Sequence, residues 1–172
     1  MLLGKLKEQY IRKSFQKKLH KIPDARTSVS KEMYSVAILT TVDFSSELDI
    51  INEIKNTFKS VRHVQMYAFR AFKKSDSISY KHFTEKNFDW KGNVKEPSLK
   101  SFLETPFDLL IGYFNEESLY LEIAALESNA TFKIGFAKAN DTLYDLVVNE
   151  DPKNIDSFLD VIKKYLELLH KI

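Results

Sequence analysis

The sequence predicts an α/β domain, a three-layer Rossmann- or flavodoxin-like fold with a mainly parallel sheet. Two apolar runs and the segment between them carry the prediction. Phe107-Asp108-Leu109-Leu110-Ile111-Gly112-Tyr113-Phe114 is almost continuously apolar, entered from Pro106 and left at Asn115-Glu116. A strand covered on both faces reads this way, whereas a half-exposed strand alternates apolar with polar. Thr131-Phe132-Lys133-Ile134-Gly135-Phe136-Ala137 is a second run, reached through a segment with helical spacing. Strand, crossover helix and neighbouring strand make a parallel unit.

The elements follow in order. Residues 1–22 read as a basic amphipathic helix, because Leu2, Leu3, Leu6, Tyr10, Phe15, Leu19 and Ile22 recur at mostly three- and four-residue steps. Pro23-Asp24 ends it, and 23–32 reads as a polar linker before a single α/β domain over 33–172. Tyr34 to Val42 is the first strand, with Asp43 or Ser45 capping a helix that carries Leu48, Ile51, Ile54 and Phe58. His63 to Phe69 alternates and is the second strand, nearer an edge. Lys73 to Ser77 reads as an exposed turn and Tyr80 to Phe83 as a short strand. Phe88-Asp89-Trp90-Lys91-Gly92 is an anchored loop, with Trp90 as the expected pin and ligand stacking as the alternative. Pro97-Ser98 opens a short helix into the central strand. Leu119 to Leu126 is the crossover helix, ended by Asn129, and Leu143 to Val148 is expected to return as a hairpin at the sheet edge. Asp151-Pro152 starts the last helix, whose packing face runs from Ile155 to Leu169. The four central strands are expected in the order 2-1-3-4.

Composition bounds the chemistry. With 44% hydrophobic residues and thirteen Phe among 172 residues, the chain can bury a core. The absence of cysteine excludes disulfides, thiol nucleophiles and cysteine-ligated metals. No apolar run approaches the roughly 18 residues of a membrane span, and no secretory signal is expected. The net charge of +2 is unevenly spread: residues 1–22 hold seven bases and one acid, a net +6 that leaves −4 for the rest.

No catalytic motif stands out, and neither a cofactor nor a metal is expected. The four glycines lie too far apart for a phosphate-binding loop, and Asp43-Phe44 puts a bulky ring where a pyrophosphate would approach after the first strand. The histidines His20, His63, His82 and His170 lack ligand spacing; His82 alone is a candidate acid or base. In open α/β sheets ligands sit beyond the carboxyl ends of the strands, near the switch in strand order. Asp43, Arg70, Asn115 and Lys138 occupy those ends and form the candidate ligand site, Asp43 and Asn115 for a hydroxyl or Mg²⁺, Arg70 and Lys138 for a phosphate.

The basic helix is the other candidate. Its cations Lys5, Lys7, Arg12, Lys13, Lys17 and Lys18 suit an anionic membrane surface or nucleic-acid phosphates, while its apolar stripe suits the domain itself, a homo-oligomer or a protein partner. A non-enzymatic protein that associates through this helix is the leading expectation. A nucleotide or sugar-phosphate site at the strand ends is the alternative.

From Phe88 to Gly92, then Phe107 to Tyr113 and Phe132 to Phe136, the order of elements resembles a family of small Bacteroidetes proteins classed as a domain of unknown function. The resemblance spans most of the chain and implies a bacterial, cytoplasmic protein, with no activity or catalytic residue to carry over. The run 107–111 followed by 134–136 is also similar to the strand–helix–strand unit in the N-terminal half of heptosyltransferase-type GT-B enzymes.

Overall fold

The computed structural model describes residues 2–22, 32–74 and 81–172. The expected linker at 23–32 lies outside them except for Glu32, as do residues 75–77 of the expected turn at 73–77 and Tyr80 of the expected short strand. Six strands form one sheet: β1 (Ser35–Thr41), β2 (His63–Phe69), β3 (His82–Phe83), β4 (Leu109–Tyr113), β5 (Phe132–Phe136) and β6 (Leu146–Val148). Their order is β3-β2-β1-β4-β5-β6, and every pair is parallel. This is the order of a Rossmann-type sheet, and it contains the expected central order. All five residues of β4 are buried, as an apolar strand at the centre requires.

Helices cover both faces. On one lie α1 (Leu2–Leu19), α4 (Pro97–Glu104) and α5 (Leu119–Glu127), whose cores meet Ala37, Leu39, Leu110 and Phe114. On the other, α2 (Val42–Glu47), α3 (Ile50–Thr57) and α6 (Ile155–Leu168) pack on Val36, Ile38, Ile111 and Tyr113. Side chains, rather than Gly-rich loops, start the helices. The Thr41 hydroxyl accepts from Phe44 N at 3.4 Å, Asp49 from Asn52 N at 3.4 Å, and Glu96 from Leu99 N at 2.6 Å. The helix expected after β1 is therefore two short ones, capped by Thr41 and Asp49 instead of Asp43 or Ser45. At the amino ends, the Asp108 carboxylate accepts from Tyr34 N (3.0 Å), Ser35 N (2.9 Å) and Ser35 Oγ (2.7 Å), joining β1 to β4.

Four further details depart from expectation. Leu146–Val148 joins β5 in parallel, not as a hairpin. The connection, residues 137–145, carries no α-helix; Tyr144 fills that layer instead, its ring lying on the paired glycines Gly112 and Gly135. A Cβ at Gly112 would stand 2.2 Å from the Tyr144 hydroxyl, and one at Gly135 2.4 Å from its ring. Second, the pin of the 88–92 loop is Phe88, fully buried, while Trp90 is half exposed. Asp89 holds this loop by accepting from Lys91 N (2.7 Å) and Asn93 N (2.9 Å), and Gly92 turns it at φ 83°. Third, α6 begins at Ile155 behind the cap Asn154, three residues later than Pro152, which lies in the preceding turn. Fourth, α5 ends at Glu127, before Asn129.

Candidate functional site

The strand order reverses between β1 and β4, so the carboxyl ends of these two strands flank the crevice where open α/β sheets take ligands. Asp43 stands in the first turn of α2 behind β1, exposed, and Asn115 follows β4, half buried. Lys138 follows β5, exposed, and Arg70 follows β2, half buried, its backbone N–H donating to Phe83 O at 3.1 Å. The topology sets all four at the same end of the sheet. No hydrogen bond or ion pair among the described residues joins Asp43, Asn115 and Lys138 to one another.

The polar group that is assembled there was not anticipated. Glu122, in the first turn of α5, is only 4% exposed, and Tyr144 is 7% exposed. The Glu122 carboxylate accepts from Ser118 N at 3.3 Å, with the Asn140 side chain beside it. Burial, with Glu117 nearby, pushes its carboxyl above the usual range. Among the described residues the Tyr144 hydroxyl has no hydrogen-bond partner, and burial beside Glu122 drives its ionisation far upward. Ser118, at the start of α5, makes no side-chain cap bond. Two signals pointed here: Glu122 interrupts an otherwise apolar helix, and glycines in adjacent central strands mark a close approach. Neither names its partner.

The histidines do not converge. His63 stacks on Phe107 with centroids 5.8 Å apart, His82 sits on β3, and His20 and His170 are exposed at helix ends. Among the described residues, no group of three or more His, Asp or Glu is arranged to hold a metal ion. Among them, too, no helix is long and apolar enough to cross a membrane.

α1 divides into two faces. Ile11, Phe15 and Leu19 enter the core under α5, and Gly92 approaches Ile11 closely enough that a Cβ would stand 3.2 Å from it. Three of the candidate cations serve this docking. Lys7 donates to Phe88 O (2.7 Å) and Glu85 O (3.2 Å), Lys18 pairs with Glu127 (2.6 Å), and Arg12 pairs with Glu117 and Glu8. Burial, with Lys95 and Lys86 close by, lowers the Lys7 pKa. Lys5, Lys13 and Lys17 are exposed and form no ion pair among the described residues. Beside them Leu3, Leu6 and Tyr10 are 70%, 49% and 56% exposed. At 100° per residue, positions 3, 6, 10, 13 and 17 form one row on the side away from 11, 15 and 19.

Fold and surface together define a three-layer α/β protein with a Rossmann-ordered parallel sheet and a basic N-terminal helix half sunk in its core. The chain belongs to a family of unknown function, DUF6913, whose model matches residues 7–169. No curated protein and no solved structure matches it.

Proposed function

We propose that this is a non-enzymatic interaction protein that binds an acidic, partly apolar protein surface through the outer face of α1. One observation carries the reading: Leu3, Leu6 and Tyr10 stand uncovered on the solvent side of a helix whose other side is already buried. Large apolar side chains gathered in one exposed row, continued by lysines, mark a contact surface. Lys13 and Lys17 extend the row and set the sign of the partner. The same lysines disfavour pairing of two copies through this row, because no carboxylate on it would offset those of both helices. We place the activity in the bacterial cytoplasm, following the sequence resemblance to Bacteroidetes proteins.

The test is a photo-crosslinking residue at Leu6 of the full chain, expressed in cells. A discrete protein adduct that disappears with Lys13→Glu/Lys17→Glu, and is absent from the same label at Lys100 on α4, is expected. Adducts of equal yield from both positions would overturn the reading. A concentration-dependent dimer by light scattering, or binding to anionic vesicles in place of protein, would redirect it to a second copy or to lipid.

A second reading rests on the strand order. The switch between β1 and β4 is flanked by Asp43 and Asn115, with Lys138 one strand further and Arg70 beyond β2. A nucleotide or sugar phosphate would sit there, in keeping with the likeness to the N-terminal half of heptosyltransferase-type enzymes. A rise in melting temperature with such ligands, lost in Asn115→Ala and Lys138→Ala, would favour this reading over the first.

A further inference from the structure

We propose that α1 and the turn at 89–92 together seat a single acidic, amphipathic helix of a partner protein; this rests on the contact role proposed for α1 and names the form of what binds there. The spacing of the outer row points to a helix. Leu3, Leu6, Tyr10, Lys13 and Lys17 follow one another at steps of three, four, three and four. That is the mean of about 3.5 residues at which one helix meets another along a shared seam. The inner residues Ile11, Phe15 and Leu19 recur every four instead, as on a helix packed across a domain. At 1.5 Å per residue the seam is about 21 Å long. Helices this short pair only marginally on their own, and a second wall strengthens the seat.

The 89–92 turn supplies that wall. Lys7 Nζ donates to Glu85 O (3.2 Å) and Phe88 O (2.7 Å), and a Cβ on Gly92 would stand 3.2 Å from Ile11. Residues 85–92 therefore run beside α1 at positions 7 and 11. Lys7 is about 40° round the helix from Leu3 and about 60° from Tyr10, in the same direction, which puts the loop along that border of the row. Gly92 N–H donates to Asp89 O at 3.2 Å and closes a turn with Trp90 and Lys91 at its tip. Trp90, the only tryptophan of the chain, is 51% exposed there, although the buried Phe88 already anchors the loop. A tryptophan on a held turn is preorganised for contact, and tryptophan is among the residues that most often carry binding energy.

Charge selects the occupant. Two α1 helices side by side in parallel would set Lys13 on Lys13 and Lys17 on Lys17, and an antiparallel pair would set these lysines on Leu6 and Leu3. A helix with carboxylates opposite the lysines and apolar residues opposite Leu3, Leu6 and Tyr10 avoids both arrangements. Carboxylates favour the first turn of their own helix, so the acidic end of the occupant is its amino end and it lies antiparallel to α1.

The probe is a dye-labelled, C-terminally amidated helical peptide of about five turns in an alanine–glutamine background. Its seam residues are Glu, Glu, Leu, Leu and Leu in that order, at the spacing of the α1 row. Titrated into the full chain, it should bind saturably by anisotropy, shift the Trp90 emission to the blue and protect it from iodide. Glutamine in place of the two seam glutamates should weaken binding at least tenfold, as should Lys13→Glu/Lys17→Glu, Leu6→Ser and Trp90→Ala in the protein. The proposal is overturned if a scrambled peptide of the same composition binds alike, if neither binds at millimolar concentration, or if the tryptophan emission does not move at saturation. Should the peptide fail while the Leu6 crosslink still forms and still needs Lys13 and Lys17, a helix is the wrong occupant and the contact role of α1 stands; loss of both removes the two together.

Discussion

Replacing Tyr144 by phenylalanine should make the protein more stable. The ring sits in a slot that exists because Gly112 and Gly135 have no side chains, and its hydroxyl is buried without a hydrogen-bond partner among the described residues. A buried polar group left unsatisfied costs about 1–3 kcal/mol. Tyr144→Phe keeps the ring and removes that cost, so unfolding free energy should rise by at least about 1 kcal/mol, equivalent to about 2–4 °C in Tm for a chain of this size. Urea denaturation should show a higher midpoint with an unchanged slope. Gly112→Ala supplies the control. Its Cβ would meet the hydroxyl at 2.2 Å and two ring carbons at 2.8 and 2.9 Å. Overpacking of this kind costs about 1–3 kcal/mol, and Tyr144→Phe relieves only the first contact. The alanine should therefore destabilise both backgrounds, and less in the phenylalanine one. A loss of more than about 1 kcal/mol on Tyr144→Phe alone would refute the reasoning, because the hydroxyl would then be making a bond that stabilises the fold.

Three further outcomes follow from the same geometry. Glu122 has its carboxyl raised by burial above its ordinary 4.5, so the folded chain binds the proton more tightly than the unfolded one. Its contribution therefore falls as pH rises from about 4.5 through the folded value; Glu122→Gln should flatten that slope in urea melts at stepped pH and raise stability at neutral pH. Arg12→Ala removes exposed ion pairs to Glu117 and Glu8, each worth under about 1 kcal/mol, so its melt should shift little and lose what shift it has at high salt. Trp90 is half exposed and Phe88 fully buried; iodide should quench the native tryptophan emission, and Trp90→Ala should cost far less than the about 3–5 kcal/mol of Phe88→Ala.

The sheet was legible because its central strands are buried on both faces and had to be apolar throughout. The direction of Leu146–Val148 was not, since a three-residue strand reads alike in either direction and nothing local shows that Tyr144 will pack on Gly112 and Gly135 in the connection. Aromatic size misled at 88–92. Phe88 carries no polar atom and goes inside, whereas the turn at Gly92 follows a Trp90 left half in water. Strand-end residues such as Asn115 and Lys138 could be placed by topology, because any parallel strand delivers its next residue to the same end. The Glu122–Tyr144 neighbourhood could not, since one residue comes from α5 and the other from the β5–β6 crossover, and nothing local encodes their meeting. Likewise, helical spacing singled out Leu3, Leu6, Tyr10, Phe15 and Leu19 of α1 but passed over Ile11, and did not say that 11, 15 and 19 would be buried while 3, 6 and 10 stayed outside.

That division of α1 is the claim on which the proposed function depends, and paired melts of two variants test it most directly. Phe15→Ala, on the inner face, should lose about 3–5 kcal/mol, as truncation of a buried aromatic does. The triple change of Leu3, Leu6 and Tyr10 to serine, on the outer face, should leave the midpoint within about 0.5 kcal/mol of the parent, as surface changes usually do. An outer-face loss as large as the inner one would show that the row is buried in the folded protein and not available to a partner.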